Sequence, residues 1–245
     1  MRARIIHGIS RFKRRAVYPI NMEFSVIIPT LNEENIIEKQ ITHIRKLNPE
    51  TEIIIADGGS QDATVQIAKQ NGAKITYSKP GRGTQQKSGA KKASNEILLF
   101  LHADTWLPTN AFTQIEQHFS NPTLLIATFR ISFYPQRTLL KIISPFSRYD
   151  TFITRFGDQC IVIRREFYEH IGGFPELKLF EDIYLLEKAR KYTQIHSIPS
   201  QVVTSSRRFQ KNGVLKQLLW NTWLILLYLL GRNPEKLAEM YRKKL

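Results

Sequence analysis

The sequence lacks most of the features that mark small secreted domains, zinc-binding modules and integral membrane proteins. Cys160 is the one cysteine among 245 residues, so no disulfide framework can form within the chain, and we assign Cys160 no chemical role. No Cys and His residues occur at the spacing of a zinc site, and no apolar run reaches the roughly 20 residues that a transmembrane helix requires. The length is sufficient for one sizeable hydrophobic core.

Acidic residues are also scarce. The chain has 21 Asp and Glu residues against 36 Lys and Arg residues, which gives a formal net charge of +15. Such a balance favours anionic partners, namely nucleotide phosphates, nucleic acid or an acidic membrane surface. Nucleic acid is disfavoured among these, because the sequence has neither a recognition helix with base-reading side chains nor an RNA-binding signature. Residues 1–21 are basic and contain no acid, and they lack the apolar core and cleavage site of a secretion signal, so we interpret them as a basic N-terminal arm.

Apolar β-rich runs alternate with segments of helical pattern. Strands are predicted at residues 24–29, 52–57, 73–78, 96–102 and 124–133, and helices near residues 33–47, 61–71, 84–94 and 109–119. This alternation indicates an α/β protein with a mostly parallel, doubly wound sheet flanked by helices. We divide the chain into the arm at residues 1–21, an α/β domain at 22–212 and a C-terminal helical segment at 213–245.

Polar side chains follow three of the predicted strands. Asp104 comes after the strand at 96–102, Asp57 ends the strand at 52–57, and Thr30, Asn32 and Glu33 follow the first strand. Since ligands of open α/β sheets bind outside the carboxyl ends of the strands, these groups are expected to converge on one edge. The alternative for Asp104 alone is that it caps the next turn.

The segment 79–87 contains Gly81, Arg82 and Gly83. Glycine permits close approach of the backbone to a ligand, arginine can bind a phosphate with two hydrogen bonds, and the helix that follows offers free N–H groups. The segment is not a P-loop, because the glycine-lysine-hydroxyl ending is absent. A plain turn with a solvated arginine is the alternative.

Five motifs together resemble the GT-A-fold family 2 glycosyltransferases. They lie at residues 26–34, 57–64, 81–83, 101–105 and 180–182, in the order seen in that family. Further segments at 157–159, 204–209 and 228–231 are similar to the branch labelled arsenosugar biosynthesis glycosyltransferases. The resemblance covers residues 23–245 and implies a GT-A, Rossmann-like catalytic domain at 22–212.

The resemblance implies a nucleotide-sugar donor and a role for each matching residue. Asp57 would accept a hydrogen bond from the base, Arg82 would lie near the base or phosphates, and Asp158 could contact the sugar. Arg207 or Arg208 would close over the diphosphate, although a solvated basic patch is the alternative. The implied donor-binding residues are Pro29, Thr30, Asn32, Glu33, Asp57, Gly58, Arg82, Ala103, Asp158, Arg207 and Arg208.

The implied metal site departs from the family pattern, because the usual Asp-x-Asp is His102-Ala103-Asp104. Imidazole can bind a transition metal but is a poor ligand for magnesium. We expect Mn²⁺ or Mg²⁺ held chiefly by Asp104, with His102 as the second candidate ligand or beside the ribose. The cation would stabilise the charge on the leaving diphosphate.

Glu181 and Asp182 open a predicted helix, where acids are also common for dipole reasons alone. The resemblance makes Asp182 the general base, with Glu181 beside it as a second candidate catalytic residue. Attack from the face opposite the diphosphate would invert the anomeric carbon.

The apolar run at 218–230 contains Trp220, Trp223 and Tyr228 and has basic residues on both flanks. These features fit an interfacial helix on an anionic leaflet, while a buried helix or a dimer contact fits nearly as well. We expect a cytoplasmic protein, peripheral at the inner face of the membrane if the first interpretation holds.

The sequence therefore predicts an inverting, metal-dependent glycosyltransferase with an unidentified acceptor, in arsenosugar or related glycoconjugate biosynthesis. The rival enzyme is a sugar-phosphate nucleotidyltransferase, which Glu181 and Asp182 argue against. The rival from another class is a non-catalytic, membrane-associated protein that binds nucleotide-sugars.

Overall fold

A computed structural model describes residues 22–151 and 157–242, so the predicted arm at 1–21 lies outside the described residues. The strands, in chain order, are β1 (Phe24–Thr30), β2 (Glu52–Asp57), β3 (Lys74–Tyr77), β4 (Ile97–Phe100), β5 (Thr105–Trp106), β6 (Ile126–Tyr134), β7 (Ile161–Arg164) and β8 (His196–Ser205). The helices are α1 (Glu34–Leu47), α2 (Thr64–Gln70), α3 (Arg82–Lys92), α4 (Ala111–Phe119), α5 (Thr138–Ile143), α6 (Arg165–His170), α7 (Glu181–Arg190), α8 (Arg207–Asn212), α9 (Val214–Leu229) and α10 (Pro234–Arg242). Short 3-10 turns lie at Ser144–Arg148 and Gly157–Gln159.

The strands form one sheet in the order β3-β2-β1-β4-β7-β6-β8-β5. The first four are parallel to one another, as the alternation of strands and helices predicts. Beyond β4 the sheet is mixed, because β7 is antiparallel to β4 and to β6, whereas β6 and β8 are parallel. The predicted α/β class with flanking helices is confirmed, and the parallel part is the half that carries the sequence motifs.

Alternate residues of β1 enter two hydrophobic cores on opposite faces of the sheet. Val26 and Ile28 pack with the apolar face of α1, whereas Ile27 packs with residues of α3, α6 and α7 on the other side. A strand buried on both faces reads as a continuous apolar run, which is why β1 was recognisable in the sequence.

Helix α2 begins later than predicted, because Asp62 caps the helix from outside it. Its carboxylate accepts hydrogen bonds from the Thr64 backbone N–H at 3.0 Å and from the Glu34 N–H at 3.2 Å. Residues 61–63 therefore form a loop before α2, and hydrogen bonds from this loop hold it against the start of α1.

The C-terminal helices pack on the α/β domain. Leu224 and Ile225 of α9 and Leu237 of α10 form a third buried cluster with Phe180 and Ile183. Helix α9 also leaves an outer face in solvent, so it is buried on one side only, and its contact with a membrane stays a prediction.

Gly89 determines how closely α3 packs on the sheet. A Cβ atom at Gly89 would collide with Ile27 Cγ2 and lie 3.4 Å from the Ala56 Cβ. We expect Gly89→Ala to lower the free energy of unfolding, since overpacking costs about 1–3 kcal/mol and the gain in helix propensity returns only about 1 kcal/mol. Urea unfolding would measure the change. Lys91→Ala on the exposed side of α3 is the matched control and should be nearly neutral, and a Gly89→Ala protein as stable as wild type would contradict this packing.

Candidate active site

A large cavity opens where β1 and β4 end. It encloses about 1140 Å³ and is lined by the loops after these strands, the start of α3, the start of α7, and helices α8 to α10. Its position is the carboxyl edge at which open α/β sheets bind ligands.

The loops after β1 and β2 are tied to each other beside this cavity. Asp57 is buried, and its Oδ2 accepts hydrogen bonds from the backbone N–H groups of Gly59 and Ser60 at 2.8 and 2.9 Å. Its Oδ1 accepts from the Thr30 hydroxyl at 3.3 Å and from the Ser60 hydroxyl. Asn32 Oδ1 accepts the Gln61 N–H at 2.8 Å, so polar groups of both loops form a rigid edge.

Gln85 of α3 holds three backbone segments in place. Its Nε2 donates to the carbonyls of Thr30 and Ala56 at 2.7 and 2.9 Å, and its Oε1 accepts from the Gly81 N–H at 3.3 Å. Gly83 lies so close to the carbonyls of Pro175 and Leu177 that a Cβ atom would not fit. The start of α3, with Arg82, is thereby fixed against the segment that leads into α7.

Asp104 faces Arg207 across the cavity. The Arg207 Nη2 donates to Asp104 Oδ2 at 3.2 Å, and the Arg207 side chain is 65% exposed. Glu33 shares this environment, since burial raises its pKa, with Arg207 opposing the rise and Asp104 adding to it. Two carboxylates and one exposed guanidinium group therefore meet at one side of the cavity.

His102 is buried and paired with Asp158. Its Nδ1 lies 2.7 Å from Asp158 Oδ1, whereas its Nε2 has no hydrogen-bond partner within the described part of the chain. Desolvation acts to raise the pKa of Asp158, but the charge and hydrogen bond of His102, together with Arg82 and Arg208, hold that pKa well below its usual range. In the neutral tautomer whose Nδ1–H donates a hydrogen bond to Asp158, Nε2 keeps a lone pair. That lone pair could bind a metal or accept a hydrogen bond from the substrate.

These residues fit a cation that arrives with a diphosphate rather than one held by the protein alone. No group of three or more His, Cys, Asp or Glu side chains within residues 22–151 and 157–242 is arranged as a metal site. Asp104 offers a hard carboxylate oxygen to the cavity, and Mg²⁺ or Mn²⁺ commonly combines one or two such ligands with substrate phosphates.

Two adjacent carboxyl groups lie at the start of α7. Burial, and then the neighbouring Asp182, raise the pKa of Glu181 well above its usual value, against the effect of Arg82. Asp182 lines the same cavity, and its Oδ1 accepts the backbone N–H of Ile183 at 2.8 Å. Glu181 therefore keeps its proton to a higher pH than an ordinary carboxyl does, and Arg82 lies close enough to interact with both groups.

The cavity brings together most of the residues that the sequence singles out. The predicted residues that line it are Pro29, Thr30, Glu33, Arg82, His102, Ala103, Asp104, Asp158, Glu181, Asp182, Arg207 and Arg208. Asn32, Asp57 and Gly58 belong to the tied loops beside it and do not line it.

Sequence reasoning missed several residues of the site. Gln85 carries no recognisable signal, because a glutamine in a helix predicts no backbone contact. Tyr241 of α10 lines the cavity and accepts a short hydrogen bond from Arg208, although it lies near the end of the chain. Phe146, in the irregular region after β6, also reaches the cavity.

The profile of the family described as "Glycosyl transferase family 2" matches residues 25–172, which contain β1 to β7 and the Asp104 side of the cavity. The chain belongs to this family. Family membership agrees with the resemblance of the four motifs within the matched residues, whereas the motif at 180–182 lies beyond them.

A curated relative is the 4,4'-diaponeurosporenoate glycosyltransferase of Staphylococcus haemolyticus. It is 33% identical over 104 residues, which are 39% of this chain and 28% of the relative. The match thus spans little more than a quarter of that relative.

Two solved structures share the fold of this family 2 chain. TarS of S. aureus, in complex with UDP-GlcNAc, superposes with a TM-score of 0.60 at 22% identity, over 75% of this chain and 58% of that chain. The mannosyltransferase PcManGT of Pyrobaculum calidifontis, in complex with GDP-Man and Mn²⁺, gives a TM-score of 0.62 at 18% identity, over 98% of this chain and 77% of that chain. The GT-A-like architecture is thereby established.

None of the helices in the described ranges combines the length and hydropathy that a membrane crossing requires.

Proposed function

We propose that the protein is an inverting glycosyltransferase that transfers a sugar from a nucleoside diphosphate sugar to an acceptor hydroxyl. The observation that carries this proposal is one cavity that is lined both by Asp104, at the carboxyl edge of the sheet, and by the carboxyl pair at the start of α7. Asp104 would act at the leaving diphosphate, and the carboxyl pair would act at the attacking hydroxyl.

The donor nucleotide would lie at the tied loops after β1 and β2. Asp57 already accepts four hydrogen bonds in its own loop, which is about the capacity of a carboxylate. It would accept a base N–H by giving up the long bond from Thr30. Pro29, Glu33 and Ala103 would line the nucleoside and Asn32 and Gly58 would shape its loop. TarS binds UDP-GlcNAc and PcManGT binds GDP-Man, so UDP- and GDP-sugars are the first donors to test.

A divalent cation would be held by Asp104, with His102 Nε2 as the second candidate ligand, and we propose Mn²⁺ or Mg²⁺. When bound, it would supply positive charge to the leaving diphosphate. Arg207 reaches Asp104 and therefore lies within reach of phosphates held there, and Arg208 lines the same wall. Guanidinium groups suit this role because they bind phosphate oxygens in pairs.

Asp182 would act as the general base. The acceptor oxygen bonds to the anomeric carbon as its proton passes to the Asp182 carboxylate, and the bond from that carbon to the diphosphate breaks, with its electron pair leaving on the nucleotide. Glu181, whose pKa burial raises to about 7, would position the sugar or acceptor, donating a hydrogen bond in its protonated form. Asp158, held by His102, would accept from a sugar hydroxyl.

Product analysis tests the reaction type. Incubation with UDP- and GDP-sugars and Mn²⁺ should release UDP or GDP, whereas a nucleotidyltransferase would release pyrophosphate from a nucleoside triphosphate and a sugar phosphate. A non-catalytic binding protein would release neither. The arsenosugar branch, as a finer assignment, would require an arsenic-containing acceptor among the products.

The proposed location is the cytoplasmic face of a membrane, bound peripherally through the C-terminal segment at 213–245. Four side chains of α9 form an outer apolar face, and they are between 48% and 63% exposed: Leu215, Leu219, Trp223 and Leu226. Lys211 and Lys216 adjoin this face, so it matches the chemistry of an anionic leaflet.

We therefore expect the wild-type protein to co-sediment with anionic phospholipid vesicles at low salt and to be released at high salt, because surface charge attraction is screened. The double variant Leu219→Ser/Trp223→Ser should remain largely in the supernatant, since it loses apolar area and an aromatic anchor. Tyr77→Ser is the control, because it removes an exposed aromatic side chain from β3, away from α9. This variant should bind vesicles as the wild type does. Wild-type protein that stays in the supernatant at low salt would refute the membrane contact.

A further inference from the structure

The cavity has two chemically different halves. The half described above carries the carboxylates and arginines, whereas β6, the segment after it, and helices α8 and α9 line the other half with most of the cavity's apolar side chains. These elements also contribute uncharged polar side chains, namely Ser144, Ser147, Gln217, Asn221 and Thr222. The residues that define this apolar half are Phe133, Ile143, Phe146, Phe209, Leu218 and Ile225. A nucleotide-sugar is polar throughout and would leave such a surface without a matching partner.

The apolar half has no carboxylates, because its elements belong to two stretches of the sequence that contain no acidic residue. Residues 117–149 and 188–234 contain no Asp or Glu, and together they supply β6, α5, the 3-10 turn after it, α8 and α9. The same stretches supply the basic residues Arg137, Lys141, Arg148, Lys211 and Lys216. An anionic amphiphile would therefore meet apolar and basic groups here and no repelling charge.

The apolar half continues onto the outside of the molecule. Phe146 lines the cavity and is nevertheless 55% exposed, and Ile142 beside it on α5 is 60% exposed. Helix α5 lies against α9, whose Leu218 faces the cavity while the next residue, Leu219, is 63% exposed on the outer apolar face. Apolar side chains of α9 and of the segment after β6 thus occur both in the cavity and on the outside of the molecule, as a chain-like ligand that enters from the outer apolar face would require.

We propose that the acceptor is a lipid or lipid-linked molecule, whose apolar chain lies in the apolar half of the cavity and whose hydroxyl reaches Asp182. This inference rests on the proposed transferase function and names its acceptor class. The occupant is taken to be a membrane amphiphile, because the outer apolar face and the acid-free basic surroundings match an anionic lipid surface in both apolarity and charge.

Alkyl β-D-glucosides from butyl to octyl test the subsite directly, because they share one polar head and differ in apolar length. They would be titrated calorimetrically into the full-length protein below the concentrations at which they form micelles. In the wild type, each added methylene should tighten binding about two- to fourfold, which corresponds to partial to full burial of the group. Leu218→Ser should flatten this dependence, whereas Tyr77→Ser, an exposed position on β3 that does not line the cavity, should retain it.

Phe146→Ser is a second variant of the apolar half. Because the Phe146 side chain is 55% exposed, this change is expected to leave the fold intact even if Leu218→Ser does not fold. It should also reduce the dependence on chain length. Wild-type affinity that stays flat from butyl to octyl glucoside would overturn the proposal. A wild-type dimer in sedimentation experiments that Leu218→Ser dissociates would overturn it too, because a second copy of the chain would then cover the apolar half.

Parallel titrations with UDP and GDP in the presence of Mn²⁺ separate this inference from the proposed function. If UDP or GDP binds but the affinity for alkyl glucosides does not depend on their chain length, the lipid acceptor is refuted and the proposed transferase function stands. If the affinity for alkyl glucosides depends on chain length but neither nucleotide binds, the proposed transferase function is refuted instead.

Discussion

Asp182→Asn is expected to lower the rate of sugar transfer by about 10²–10⁴-fold, the usual loss when a positioned proton acceptor is removed. The substitution keeps the size of the side chain and its contact with the Ile183 N–H, so the start of α7 should stay folded. Affinity for the nucleotide-sugar should change much less, because Asp182 is proposed to act on the acceptor. Single-turnover kinetics with calorimetric donor binding would measure both effects.

Glu187→Gln is the matched control for this prediction. It removes a carboxylate from the same helix at a position that does not line the cavity. Its transfer rate should equal that of the wild type. If Asp182→Asn also retained transfer within a few-fold, Asp182 would serve only as a helix-start residue and another group would take the proton.

Asp104→Asn should abolish metal-dependent transfer. The change is nearly isosteric but removes the charge that would hold the cation, and it also removes the ionic partner of Arg207. Activity would be measured across a range of Mn²⁺ and Mg²⁺ concentrations, with the unfolding temperature as a check on the fold. We expect no added metal to restore the wild-type rate.

His102→Asp is the companion variant, because it restores the usual Asp-x-Asp pattern at residues 102–104. Because it loses the imidazole that pairs with Asp158 and brings a second carboxylate close to it, the variant should turn over more slowly than the wild type. Its remaining activity should shift in preference towards Mg²⁺, since a carboxylate suits magnesium better than an imidazole does. Full turnover by Asp104→Asn, or by the wild type in excess chelator, would contradict the metal role.

The motif-bearing half of the fold was predictable because its signals are local. The strands β1, β2 and β4 are continuous apolar runs, and Thr30, Asp57 and Asp104 follow them at positions that any parallel sheet brings to one edge. Neighbouring residues therefore carried the information needed for the class of fold and for the edge that holds the site.

The pairings within the site were not predictable, because they join residues that are far apart in the chain. Arg207 meets Asp104, and His102 meets Asp158, only after β8 and the Gly157–Gln159 turn have been placed in the sheet order. The apolar half of the cavity depends in the same way on how α5 and α9 pack. Apolar residues in two distant helices give no local indication that they will face one cavity.

Donor binding is the most direct test of the central claim that the cavity takes a nucleotide-sugar with a divalent cation. The measurement is the unfolding temperature of the wild type and of Asp104→Asn with a panel of UDP- and GDP-sugars, with and without Mn²⁺. At a ligand concentration 100 times Kd, at least one donor should raise the wild-type unfolding temperature by about 5–10 °C in the presence of Mn²⁺. The same donor should have a much smaller effect on Asp104→Asn. A wild type that no nucleotide-sugar stabilises, with or without Mn²⁺, would contradict the account.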